Sequence, residues 1–239
     1  MKIDADYPRL GRTLALRVRK ITCLLLVGVL LIVVANVVAG LVQMVTGQPV
    51  PNIVDVAREV NLPTWYSSIL LILAAALAAL AGKSEKMVGG PHILHWWGLA
   101  LVMALISIDE MLTFHEWGDE LVPGWMTRPF GEWIQVHPWV LLGLPLVALF
   151  VILYLPFVSD LPARTRRWIV AGGAVYVAGA LGGESLHGVI NTYHGGGVFT
   201  SLAVLLEETL EMVGIVVFIH GLLTHLTGRD AAFSLELRG

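Results

Sequence analysis

Six long apolar stretches, separated by short polar segments, constrain this chain more than any other feature of its sequence. A helix that crosses the hydrocarbon of a bilayer needs about 20 mostly apolar residues at 1.5 Å of rise per residue. Stretches near residues 21–45, 64–81, 92–116, 138–158, 168–192 and 198–226 come up to that requirement. With 56% hydrophobic and 14% charged residues, the chain departs from soluble globular composition in both respects. The expectation is an all-α polytopic membrane bundle of six transmembrane helices, forming a single integral membrane domain over residues 1–239. The lone Cys23 excludes a disulfide framework and a thiolate-rich metal site. A net charge of −3 offers no global basic field for nucleic acid.

Lys and Arg set the expected orientation. Of the 15, only Arg58 and Arg128 fall on one side; the others lie in the N-terminal segment, the loops after the second and fourth stretches, and the tail. That bias predicts both termini on the cytoplasmic side of an inner (cytoplasmic) membrane. Val37-Val38-Ala39 imitates a signal-peptide cleavage site, but the apolar run continues past Ala39, so the first stretch is expected to be a retained helix. Trp65, Tyr66 and the tryptophans of 117–139 read as an aromatic belt on the outer side, and Trp96, Trp97 and Trp168 as one on the inner side. The amphipathic segment 53–60 is expected on the membrane surface.

Three of the stretches carry residues that hydrocarbon resists, since a charge at the bilayer centre costs roughly 2.5–3.5 kcal/mol on insertion scales. The third ends Ile108-Asp109-Glu110-Met111-Leu112-Thr113-Phe114-His115-Glu116, the fifth contains Glu184-Ser185-Leu186-His187, and the sixth contains Glu207-Glu208-Thr209-Leu210-Glu211. The expected topology puts all three clusters toward the outer side, although the carboxylates of the sixth lie about 15–20 Å down their helix. At 100° per residue, Asp109, Thr113 and Glu116 share a face, as do Glu184 and His187, while Glu110 and His115 point away from Asp109 in opposite directions. Small residues at four-residue spacing (Ala174, Ala178 and Gly182, then Gly179 and Gly183) suit a fifth helix packed at the bundle centre.

Seven carboxylates and two histidines with no Lys or Arg in the three segments need protons, a metal or water for compensation. Carboxylates with imidazole suit iron, manganese or zinc, and Glu184-x-x-His187 is half of the motif used by di-iron helix bundles. The expected metal ligands are Asp109, Glu116, Glu184, His187, Glu208 and Glu211, with Glu110, His115 and Glu207 as a second tier. The expected cofactor is a divalent metal, taken as two iron ions, with manganese or zinc as alternatives. His92, His95, His220 and His225 read as residues of the inner end, and His137 as a loop residue.

The segments Asp109-Glu110-x4-His115-Glu116 and Glu207-Glu208-x2-Glu211-Met212-x-Gly214 resemble a pattern in an uncharacterised family of bacterial multi-pass membrane proteins. The resemblance implies a shared site and carries no known chemistry. Three functional classes remain open from the residues. One is a metal-dependent oxidoreductase acting on a hydrophobic substrate, or a hydrolase if the metal is zinc. The second is a cation- or proton-coupled transporter. The third is a non-catalytic subunit docking other membrane subunits. Membrane lipid is an expected partner of all three.

Overall fold

The computed structural model describes the backbone of residues 7–130 and 137–236 and, within them, all side chains except those of 7–15, 116, 118, 130 and 229–236. Among the described residues every regular element is helical. Five helical segments are long and apolar enough to cross a membrane: Leu16–Thr46, Leu62–Met87, Ile93–Leu112, Val140–Asp160 and Ala163–His194. We call the end of the bundle that bears loop 47–61 its upper end, and the opposite end its lower end.

Helix α1 (Tyr7–Thr46) rises to the upper end and presents most of its apolar side chains outward. The chain then turns back and descends beside it, because Asn36 Nδ2 donates to the Val54 carbonyl at 3.1 Å, ten residues or about 15 Å below Thr46. The amphipathic segment 53–60, expected on the membrane surface, forms turns and no helix. Side chains compete for its backbone: Asn61 Nδ2 donates to the carbonyls of Asp55 (2.6 Å) and Arg58 (2.7 Å), and Asp55 Oδ1 accepts from Ala57 N. The Asn61 side-chain oxygen then takes the Thr64 N–H at 3.2 Å and caps α2 (Leu62–Met87), with Pro63 in its first turn.

Helices α2 and α3 (Ile93–Leu112) form a hairpin joined by Ser68 and Ser107, whose hydroxyls lie 2.8 Å apart and reach each other's backbone carbonyls at 3.0 and 3.2 Å. Tyr66 is a clamp rather than a belt residue: its hydroxyl donates to the Leu25 carbonyl of α1 at 2.7 Å. Helix α3 stops at Leu112, short of the expected 116, because Thr113 adopts a left-handed conformation (φ 50°, ψ 40°). A separate helix, α4 (Phe114–Leu121), starts there, and a short α5 (Gly124–Thr127) follows.

Helix α6 (Val140–Asp160) is attached at both ends. Below, Phe157 packs edge-on against Trp96 at 4.8 Å and Tyr154 donates to the His95 carbonyl at 3.1 Å; above, Val140 packs with Leu181. The fifth span is α7 (Ala163–Val177), a π-helical turn (Ala178–Gly183) and α8 (Glu184–His194). The last helix, α9 (Val198–Glu236), is 39 residues long and forms the core, with Met212, Ile215, Val216, Ile219 and Leu222 all at most 3% exposed.

Glycines let α7 lie directly on α9. A Cβ added at Gly172 would come 2.5 Å from Phe218 N, and one at Gly214 would come 2.5 Å from Tyr176 N. Gly179 and Gly183 continue the seam against Glu207 and Glu211, whereas Ala174, Ala178 and Gly182 lie off it. The expected small-residue stripe is thus half on the seam and half off it.

Candidate metal centre

The depth of the three polar clusters reconciles once α8 is seen to continue ten residues beyond Glu184 before the chain turns back. Glu207 stands nine residues into α9, so both arms of the α8–α9 hairpin return to one level. A hydrogen bond joins Glu184 and Glu207 there, and two carboxyl groups can share one only if one of them carries a proton. Helices α3 and α6 end at this level, which brings Thr113 and the segment before Val140 beside the hairpin.

His137, Glu184 and His187 form a group whose donor atoms all lie within 4.8 Å of one another. His137 Nδ1 pairs with Glu184 Oε1, and its ring lies 5.0 Å from that of His187. Glu184 and His187 share one face of α8 as an i,i+3 pair, with Glu184 starting the helix directly after the π turn. Two imidazoles and a carboxylate suit a divalent metal with open positions. Bonds of about 2.0–2.2 Å set donors roughly 3–4 Å apart, so closure requires side-chain shifts of about 1 Å. His137 Nε2 is buried without a hydrogen-bond partner among the described residues, an orphaned donor or acceptor that a bound ion and its second sphere would explain.

His137 is the functional residue that pattern reading missed, because it precedes Pro138 outside any helix and shares no helical phase with the others. Its position comes from α4. Asp119 Oδ1 accepts the Trp139 N–H at 2.9 Å, fixing the chain two residues after His137. Burial pushes the Asp119 carboxyl up, against the opposing pull of that Trp139 hydrogen bond. The Trp139 ring also lies 5.4 Å from His115.

Asp109 and His115 turn out to be direct partners, contrary to the divergence expected of a continuous helix. Asp109 Oδ1 accepts the His115 N–H at 2.8 Å and Oδ2 lies 3.0 Å from His115 Nδ1. The break at Thr113 makes this possible by letting α4 fold back over the end of α3. Burial works to lower the His115 pKa, but the hydrogen bond and charge of Asp109 outweigh it and hold the ring up at about 8.

The remaining acids surround the triad. Glu211 lies within electrostatic reach of Glu208, Glu110, Glu184 and Glu59 of the descending loop. Glu110 is beside Ser67, and Glu207 is 5% exposed. Tyr176 of α7, a second residue that pattern reading passed over, sits in the field of Glu211, Glu110, Asp109 and Glu208. The side chain of Glu116 lies outside the described residues. Residues from the third, fifth and sixth stretches therefore do meet in one neighbourhood. Of the expected ligands, Glu184 and His187 fall within the three-donor group, whereas Asp109, Glu208 and Glu211 fall around it.

No curated protein and no solved structure matches this chain. One family does: DUF8692, described as a domain of unknown function, matches residues 24–226, a span that includes the triad and its surrounding acids. The match agrees with the expectation of an uncharacterised family. The chain belongs to the DUF8692 family.

Proposed function

We propose that this chain is a polytopic membrane metalloprotein in which His137, Glu184 and His187 hold a divalent metal ion that serves oxidative chemistry on a hydrophobic, membrane-dissolved substrate. The observation that carries the reading is the gathering of two imidazoles and one carboxylate from a loop and a helix within 4.8 Å. The three-donor group among the described residues is one centre, so one metal is proposed in place of the expected pair of irons. Iron is favoured by a donor set of two histidines and one carboxylate, and zinc would turn the same ligands to hydrolysis. When bound, the metal supplies Lewis acidity and open coordination positions. Glu184 orients His137, Glu207 stands beside Glu184, and Asp119 keeps the His137 segment in place. Six spans with both termini cytoplasmic complete the proposal. Support comes from the Lys and Arg bias and from α9, whose 39 residues give about 58 Å of helix.

Metal content of the detergent-purified full chain is the test. Stoichiometric metal is expected, with His137→Ala, Glu184→Gln and His187→Ala each losing it together with thermal stability. A ligand that binds only the folded state contributes about 4 kcal/mol at a thousandfold excess over Kd. A chelator should therefore lower the wild-type Tm and leave the three variants unchanged.

The Glu184–Glu207 hydrogen bond within a cluster of further acids favours a second reading, a proton- or cation-coupled transporter. In that case the purified chain holds no metal, chelation leaves Tm unchanged, and Glu208→Gln or Glu211→Gln is neutral or stabilising.

A further inference from the structure

Two helices, α1 and α7, bring positive charge to one histidine of a third, α9, at the lower end of the bundle. Arg19 of α1 stands three residues before Thr22, and Arg164 of α7 four before Trp168. Those spacings put each arginine on the same helix face as the later residue. Thr22 and Trp168 both touch His220 of α9: Thr22 Oγ1 lies 2.8 Å from His220 Nδ1, and the Trp168 ring stands edge-on at 4.7 Å. The single hydroxyl hydrogen of Thr22 goes to the Val18 carbonyl at 3.0 Å. The Thr22 oxygen therefore accepts, and His220 Nδ1 carries the hydrogen. Both guanidinium groups act on the His220 ring.

Among the described residues, no acid answers this charge. Arg19 and Arg164 are exposed, and neither enters any of the ion pairs formed there. The acids of the same end are engaged elsewhere, Asp160 with His92 at 2.8 Å and Glu85 at the α2–α3 turn. The level of the two arginines is also defined. From Arg19 to Thr46 and from Arg164 to His194, the helices measure about 40–45 Å. A bilayer with its headgroups is about 40–45 Å thick. When the upper ends of α1 and α8 reach one headgroup layer, Arg19 and Arg164 stand in the other.

We infer that the meeting point of α1, α7 and α9 binds the phosphate of an anionic phospholipid headgroup, held by the Arg19 and Arg164 guanidinium groups below Thr22, Trp168 and His220. Arginine suits the role because its planar fork meets two phosphate oxygens at once. Trp168 supplies an amphipathic surface at the glycerol level. The bound lipid ties α1 to α7, two helices that otherwise meet through α9.

The test is lipid-dependent stability and binding of the full chain in neutral detergent. Phosphatidylglycerol in mixed micelles should raise Tm, and phosphatidylcholine should not. At about fivefold per basic residue, the double variant Arg19→Gln/Arg164→Gln should bind phosphatidylglycerol roughly thirtyfold more weakly and lose the Tm shift. The double variant Lys83→Gln/Lys86→Gln, which removes the same charge from the same end, should keep both. Arg19→Lys/Arg164→Lys holds the charge without the fork and should bind with intermediate affinity, which also covers failure of the first variant to fold. Equal weakening by the arginine and lysine pairs would overturn the site in favour of diffuse attraction. An equal Tm rise with inorganic phosphate alone would overturn the lipid as its occupant.

Discussion

His115 and Asp109 show how one left-handed residue redirects the chemistry of a helix end. With Thr113 at φ 50°, the imidazole reaches back to the carboxylate that also takes its own N–H. The ring is held up at about 8 in the folded chain, against about 6.5 when unfolded. A raised histidine contributes stability that is fully present below the unfolded value and is lost as pH rises through the folded one. Tm should therefore fall between about pH 6.5 and pH 8 in the wild type, and His115→Gln should flatten that slope, as a set of buffered melts would show. No helical periodicity could expose this pair, because it exists only where the periodicity is interrupted.

The seam between α7 and α9 is the element on which the site depends. Gly172→Ala drives a methyl group against Phe218 backbone at 2.5 Å and should cost roughly 1–3 kcal/mol. Gly173→Ala, which meets nothing within 4 Å, should be neutral or stabilising by at most about 1 kcal/mol. Denaturation of the two variants in one detergent checks the contrast. The π turn sets the phase of Glu184 and His187 on the far side of this seam. Deleting Gly182, an exposed residue in open space, should restore α-helical bonding with both side chains still in phase, whereas deleting Ala180 as well should turn both by about 100°. In the double deletion, helical circular dichroism should persist while metal content is lost. The all-helical class and most long helices were legible as apolar runs, and so were Glu184, His187 and the acids of α9. The π turn was not, since an added residue inside a Gly- and Ala-rich run leaves no mark on a hydropathy pattern. His137 was not legible either, since a loop carries no periodicity.

For the whole molecule, the topology proposed from the bias of Lys and Arg has the upper end outside. Replacing the exposed Cys23 and introducing single cysteines allows a direct check. An impermeant thiol reagent applied from outside should label positions 58 and 128 and spare 83 and 166. Labelling at 83 would invert the assignment and turn the proposed metal centre toward the cytoplasm.

The position of α9 at the centre of the bundle has a consequence for how the chain is made. Glu207, Glu208 and Glu211 belong to a helix that is synthesised after α7 and α8, and three carboxylates at roughly 2.5–3.5 kcal/mol each oppose its transfer into lipid. Its partners are already present by then: Gly172, Gly179 and Gly183 line the surface it must meet, and Glu184 offers the hydrogen bond that Glu207 takes up. On the proposed six-span topology, membrane integration of α9 is in this sense templated by the preceding span. On the proposed topology, α7 and α8 must stay together at the membrane until α9 joins them, and the acids of α9 reach the proposed metal centre only then.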